Sequence, residues 1–65
     1  MQLTVNGTSV QLDVTTLTQL IQHYQLKEEH VVAEVNGEII DRSLWQNYEL
    51  KQGSVIELVH FVGGG

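Results

Sequence analysis

The stretch Thr15-Thr16-Leu17-Thr18-Gln19-Leu20-Ile21-Gln22-His23-Tyr24 stands apart from the rest of this chain. Leu17, Leu20, Ile21 and Tyr24 fall at i, i+3, i+4 and i+7, which lines them up as one apolar stripe on an α-helix. Gln19, Gln22 and His23 take the wet side, and Thr15 or Thr16 can cap the first turn by accepting a bond from a free backbone N–H. A helix of about two to three turns is too short to persist alone and must lie across other structure. What flanks it has the period of strands, so one helix crosses one sheet.

Before the helix, Leu3 and Val5 alternate with Gln2, Thr4 and Asn6. Asn6-Gly7 is the favoured type I′ hairpin pair, because both residues tolerate positive φ. The return strand alternates again, with Val10, Leu12 and Val14 inward. After the helix, Leu26 plugs the end of the core and Lys27-Glu28-Glu29-His30 reads as a solvated connection. Val31 to Val35 forms the next strand, and Asn36-Gly37 repeats the turn chemistry of the first hairpin. Glu38-Ile39-Ile40 is a short extended piece, and Asp41 caps a helical turn that brings Trp45 to one end of the core. Tyr48 and Leu50 are expected in a short edge strand. Lys51-Gln52-Gly53 turns the chain into the last strand, Ser54 to Val62.

A helix between two strands is a crossover covering one sheet face, not a tight antiparallel connection. The expected fold is therefore α+β: a four- or five-stranded mixed sheet packed on one main helix, the β-grasp or ubiquitin-like arrangement. The domain is expected over residues 1–62. Gly63-Gly64-Gly65 follow directly on a strand, with none of the Ser or charged residues of an ordinary linker. Having no side chains to bury, they read as a flexible thread, residues 63–65, ending in a carboxylate.

Bulk properties narrow the function. Sixty-five residues make one small domain with 42% hydrophobic content, enough for one core and too little for an enclosed catalytic cleft. Lys and Arg number 3 against 8 Asp and Glu, for a net charge of −5, which argues against binding to nucleic acid. The absence of cysteine removes disulfides, thiolate metal sites and cysteine nucleophiles. No apolar run approaches the roughly 18 residues of a membrane span, and the first residues lack the basic start of a signal peptide. A cytoplasmic location and a monomer when free are the expectations.

The catalytic alternatives are weak. His23, His30 and His60 match no familiar ligand spacing, so no metal site is expected. Glu28 and Glu29 are adjacent in a polar connection and cannot face one another. No catalytic residue is expected in the chain itself. The last strand is more informative. With Ile56 and Leu58 facing the helix, Val55, Glu57, Val59 and Phe61 face away from it. Val59 and Phe61, with Val62 beside the tail, are the expected docking residues.

Val35-Asn36-Gly37-Glu38-Ile39-Ile40, then Arg42-Ser43, Trp45, Gly53 and Val55 to Gly65, resemble the ThiS family of sulfur carriers in thiamine biosynthesis. His60-Phe61-Val62-Gly63-Gly64-Gly65 is especially similar to a terminus of that family. Asp41 departs from it, standing where many members carry proline. The resemblance implies a carrier and cosubstrate, not an enzyme. A ThiF-type partner would use ATP to adenylate the Gly65 carboxylate, with no cofactor bound to the chain. A cysteine-derived sulfur donor would convert it to a thiocarboxylate, and the thiazole synthase ThiG would take the sulfur, with Gly63 and Gly64 as the tail. A Gly-Gly end is shared with MoaD-type small subunits of molybdopterin synthase and with ubiquitin-like modifiers, and both stay open at this point.

Overall fold

In a computed structural model, residues 1–61 are described. Strand β1 (Gln2–Val5) turns through Asn6 and Gly7 into β2 (Thr8–Gln11). Helix α1 (Leu17–His23) and a 3-10 turn (Glu28–His30) lead to β3 (Val31–Val35) and β4 (Glu38–Ile40). A second 3-10 segment (Arg42–Asn47) precedes β5 (Val55–His60). The five strands order as β2-β1-β5-β3-β4 in one sheet. β1 and β5 run parallel and the other neighbours antiparallel, so the sheet is mixed. This is the β-grasp arrangement expected from the pattern, with the last strand in the centre.

Local chemistry explains each element. Asn6 and Gly7 sit at φ 50 and 82, and Asn36 and Gly37 at 51 and 88, the left-handed values that a type I′ turn requires. Thr16 is the helix cap: its Oγ1 accepts from the Gln19 backbone N–H at 3.2 Å, and Gln19 Oε1 accepts from the Thr16 N–H at 3.2 Å. Gln19, expected only to face water, thus closes a capping box. Asp41 caps the second 3-10 segment as expected, accepting from the Ser43 hydroxyl and backbone N–H. Those two bonds hold its carboxyl below the ordinary aspartate value.

The core lies between the helix and one sheet face. Leu17, Leu20 and Ile21 of the helix meet Leu3, Val5, Ala33, Val35, Ile56 and Leu58 of the strands, all buried. Trp45 closes the core, 1% exposed, with its indole N–H donating to the Ile40 carbonyl at 2.9 Å.

Four details differ from the sequence reading. Tyr24 is exposed at the helix C-cap, because the chain reverses at Gln25 (φ 59) and ends the stripe one residue early. Val10, Leu12 and Val14 are half-buried, since β2 is an edge strand that stops at Gln11. Tyr48 and Leu50 form no strand: one isolated bridge joins Thr16 and Glu49, and backbone bonds tie Leu17 to Tyr48 and Leu50 to Thr15. The last strand spans Val55 to His60; Ser54 belongs to the turn, Phe61 follows the strand, and Val62 lies outside the described residues.

Candidate functional site

Every carrier residue expected from the sequence lies on or beyond β5, so what holds that strand positions the site. β5 pairs with β1 on one side and β3 on the other. Val35 faces Ile56, Ala33 faces Leu58, and Val31 faces His60. The turn before it is closed by Ser54, whose Oγ donates to the Lys51 carbonyl at 2.8 Å and accepts from the Lys51 N–H at 3.2 Å. Gly53 takes φ 84 there, a value that suits glycine.

Both turn asparagines also bind β5, a role that their turn chemistry does not reveal. Asn6 Oδ1 accepts from the Leu58 N–H at 2.8 Å and its Nδ2 donates to the Leu58 carbonyl at 3.2 Å. The side chain thereby extends the β1 ladder beyond the end of that strand. Asn36 Oδ1 accepts from the Val55 N–H at 2.9 Å, while its backbone N–H donates to the Val55 carbonyl at 2.7 Å. At the far end, the Phe61 N–H donates to the His30 carbonyl at 2.8 Å. The strand is therefore held along its whole length up to Phe61.

Asn6→Gly isolates this clamp, because glycine keeps the positive φ and removes both side-chain bonds. Leaving the Leu58 amide without its partner is expected to lower unfolding stability by about 1–3 kcal/mol. Amide hydrogen exchange at Leu58 should accelerate more than exchange at Leu3, within β1. Equal protection at Leu58 in variant and parent would show that the clamp contributes nothing.

The outer face of β5 is open and, apart from Glu57, apolar. Val55, Val59 and Phe61 are 46%, 53% and 55% exposed, and Ile39 on β4 is 68% exposed. Trp45, buried in the core, leaves Phe61 uncovered. Val59 lies opposite the half-buried Val32. Ile39 was missed as part of this face, although adjacent isoleucines in a strand must point to opposite sides. Val62, Gly63, Gly64 and Gly65, the rest of the expected site, lie outside the described residues.

The other candidate residues do not converge on a reaction centre. His23 stacks edge-on with Tyr24 at 5.1 Å. The His30 and His60 rings lie 6.3 Å apart at the base of the tail, His60 being exposed. Among the described residues no group of three or more His, Cys, Asp or Glu could hold a metal ion. No helix there is long and apolar enough to cross a membrane. A polar, open groove runs between α1 and the second 3-10 segment, bordered by Gln19, Gln22, Arg42 and Ser43, away from β5.

Comparison with known proteins decides what kind of strand-and-tail this is. The model of the ThiS family matches residues 3–65. The chain belongs to the ThiS family. It is 43% identical over 65 residues to the sulfur carrier protein ThiS of Bacillus subtilis (strain 168), covering 97% of this chain and 98% of that one. A crystal structure of a thiamine biosynthesis protein (ThiS) from Geobacter metallireducens superposes with a TM-score of 0.83 at 33% identity, over 100% of both chains. The solution structure of a thiamine biosynthesis protein from that organism gives 0.81 at 33% identity, over 100% of this chain and 88% of that one. ThiS membership makes this a small sulfur carrier of thiamine biosynthesis, not a catalyst. The molybdopterin-synthase and modifier readings give way to it.

Proposed function

We propose that this chain carries sulfur as a thiocarboxylate on Gly65 and delivers it for formation of the thiazole ring. Residues 1–62 act as the scaffold and 63–65 as the thread. The observation that carries the reading is β5, a central strand clamped on both sides that leads through an exposed apolar Phe61 into three glycines. The family match through residue 65 supports it.

The chemistry follows from the groups available. A terminal carboxylate with an ordinary pKa of roughly 3.5 is ionised at neutral pH and nucleophilic enough to attack the α-phosphate of ATP. Pyrophosphate leaves, and the product is an acyl adenylate. Sulfur derived from cysteine and delivered as a hydrosulfide equivalent attacks the acyl carbon and displaces AMP. With no cysteine of its own, the chain cannot hold the sulfur as a side-chain persulfide, which agrees with a terminal thiocarboxylate. The thiocarboxylate sulfur then attacks the ketose-phosphate-derived intermediate held by a ThiG-type synthase. A ThiF-type enzyme supplies the adenylation, and this chain supplies the handle.

Val59, Phe61 and Val62 dock the scaffold so that the thread enters the partner's active site. Phe61→Asp places a charge on that face without disturbing the core, since Phe61 is exposed. The variant should unfold within about 0.5 kcal/mol of the parent. Its capture by a ThiF-type enzyme in a titration should weaken by about tenfold or more, roughly 1.4 kcal/mol. Equal affinity for variant and parent removes Phe61 from the docking surface.

A further inference from the structure

The sequence Val-Asn-Gly occurs twice, at Val5-Asn6-Gly7 and Val35-Asn36-Gly37, and both copies take the same left-handed turn. An asparagine before glycine is chemically labile, because the glycine nitrogen carries no neighbouring side chain to shield it from the asparagine Cγ. Both turns are open to water. Asn6, Gly7, Asn36 and Gly37 are exposed, and nothing lies within 4 Å of where a Cβ on either glycine would stand. Among the described residues neither glycine N–H is tied up in a turn or loop bond. What differs is the hold on the side chain. Asn6 is bound at both atoms and partly buried there, Oδ1 accepting from the Leu58 N–H at 2.8 Å and Nδ2 donating to the Leu58 carbonyl at 3.2 Å. Asn36 is bound, among the described residues, through Oδ1 alone, at 2.9 Å from the exposed Val55 nitrogen.

We infer that Asn36 is a site of spontaneous deamidation, and that the same reaction at Asn6 is held back by its two bonds to Leu58. The Gly37 nitrogen gives up its proton and attacks Asn36 Cγ. The new N–Cγ bond closes a succinimide ring, the Cγ–Nδ2 bond breaks, and ammonia leaves. Water then opens the ring at either carbonyl to give aspartate or isoaspartate. In sum, water replaces ammonia at the side chain, and nothing is oxidised or reduced. Ring closure requires the side chain to leave its partners, one bond for Asn36 and two for Asn6. A difference of one net hydrogen bond makes Asn36 faster by about fivefold. The other amides are better guarded. Asn47 precedes Tyr48, whose N–H donates to the Trp45 carbonyl at 3.2 Å. Gln52 precedes Gly53, but Gln52 Oε1 accepts from the Gln2 N–H at 2.8 Å and the Gly53 N–H donates to the Gln2 carbonyl at 2.8 Å. The two products at position 36 differ in consequence. Aspartate keeps the oxygen that accepts from the Val55 N–H, so the entry to β5 stays anchored. Isoaspartate reroutes the main chain through Cβ in the turn between β3 and β4 and displaces that oxygen.

The test follows the full chain during incubation at mildly alkaline pH, with and without denaturant. Peptide masses locate each converted site by a gain equal to one hydroxyl replacing one amino group. In the native chain Asn36 should convert about fivefold or more faster than Asn6, with Asn47 and Gln52 slower still. In denaturant only the shared Val-Asn-Gly context counts, so Asn6 and Asn36 should convert at nearly equal rates. Equal native rates, faster conversion at Asn6, or an Asn36 that survives in the native chain while the denatured chain converts fully would each overturn the inference. Two variants check its basis. Asn36→Asp should keep the parent's unfolding midpoint, because the carboxylate still accepts from the Val55 N–H. Asn6→Asp should lower it, because a carboxylate cannot donate to the Leu58 carbonyl. The reverse order, or no effect in Asn6→Asp, would overturn the assignment of the labile and the protected turn.

Discussion

Removal of Gly64 and Gly65 is expected to abolish thiazole formation in a reconstituted system while leaving the unfolding midpoint unchanged. Among the described residues the core is built from side chains between Leu3 and Leu58, and a glycine has no side chain to add to one. The shortened chain still ends in a carboxylate on glycine, so the loss would be one of reach and not of functional group. Two extended residues span roughly 7 Å. Reacting atoms must approach to about 3–3.5 Å, so a shortfall of that size leaves the carboxylate out of line with the α-phosphate. Gly64→Ala tests the same idea more gently. The methyl group widens the thread where it must pass into two different active sites, so adenylation should slow with no change in stability. Equal activation rates for Gly64→Ala and the parent would show that slenderness does not matter.

The largest effect on folding is expected at Trp45. Trp45→Ala removes the bulkiest fully buried side chain and its bond to the Ile40 carbonyl. Truncations of this kind cost about 3–5 kcal/mol. A chain of this length has about 3–10 kcal/mol of stability in total at typical values per residue. The variant should therefore be partly or wholly unfolded at room temperature, with little tryptophan-independent near-native circular dichroism. Trp45→Phe weighs the two contributions against each other, since it keeps most of the apolar volume and removes the donor. It should remain folded and lose about 1–2 kcal/mol. Native-like stability in Trp45→Ala would mean that the core closes without the indole.

Sequence patterning made the hairpins, the helix and the crossover legible because each depends on chemistry between near neighbours. Asn-Gly pairs announce type I′ turns wherever they occur, and the Leu17, Leu20 and Ile21 stripe admits only one buried face. Tyr24 was misplaced because Gln25, which takes the left-handed conformation after the helix, is not a residue that marks a helix end. Tyr48 and Leu50 pack without a ladder, and burial alone cannot distinguish that from an edge strand. The outward set on β5 was readable from alternation. Which residues oppose one another across β3 and β5 was not, because it requires the pairing register, and a slip of one residue would place different partners across the strands. The Asn6 clamp is hidden for a similar reason. Its partner Leu58 is 52 residues away, and only the parallel pairing of β1 with β5 brings them together.

The thread-and-scaffold account assigns all the chemistry to one acyl carbon. Its most direct test is the intact mass of the chain after incubation with a ThiF-type enzyme, ATP and a cysteine-derived sulfur source. The account predicts a gain equal to one sulfur replacing one oxygen, localised by fragmentation to Gly65 and absent when ATP is withheld. An unchanged mass under conditions that support thiazole formation, or sulfur found on any residue other than Gly65, would contradict it.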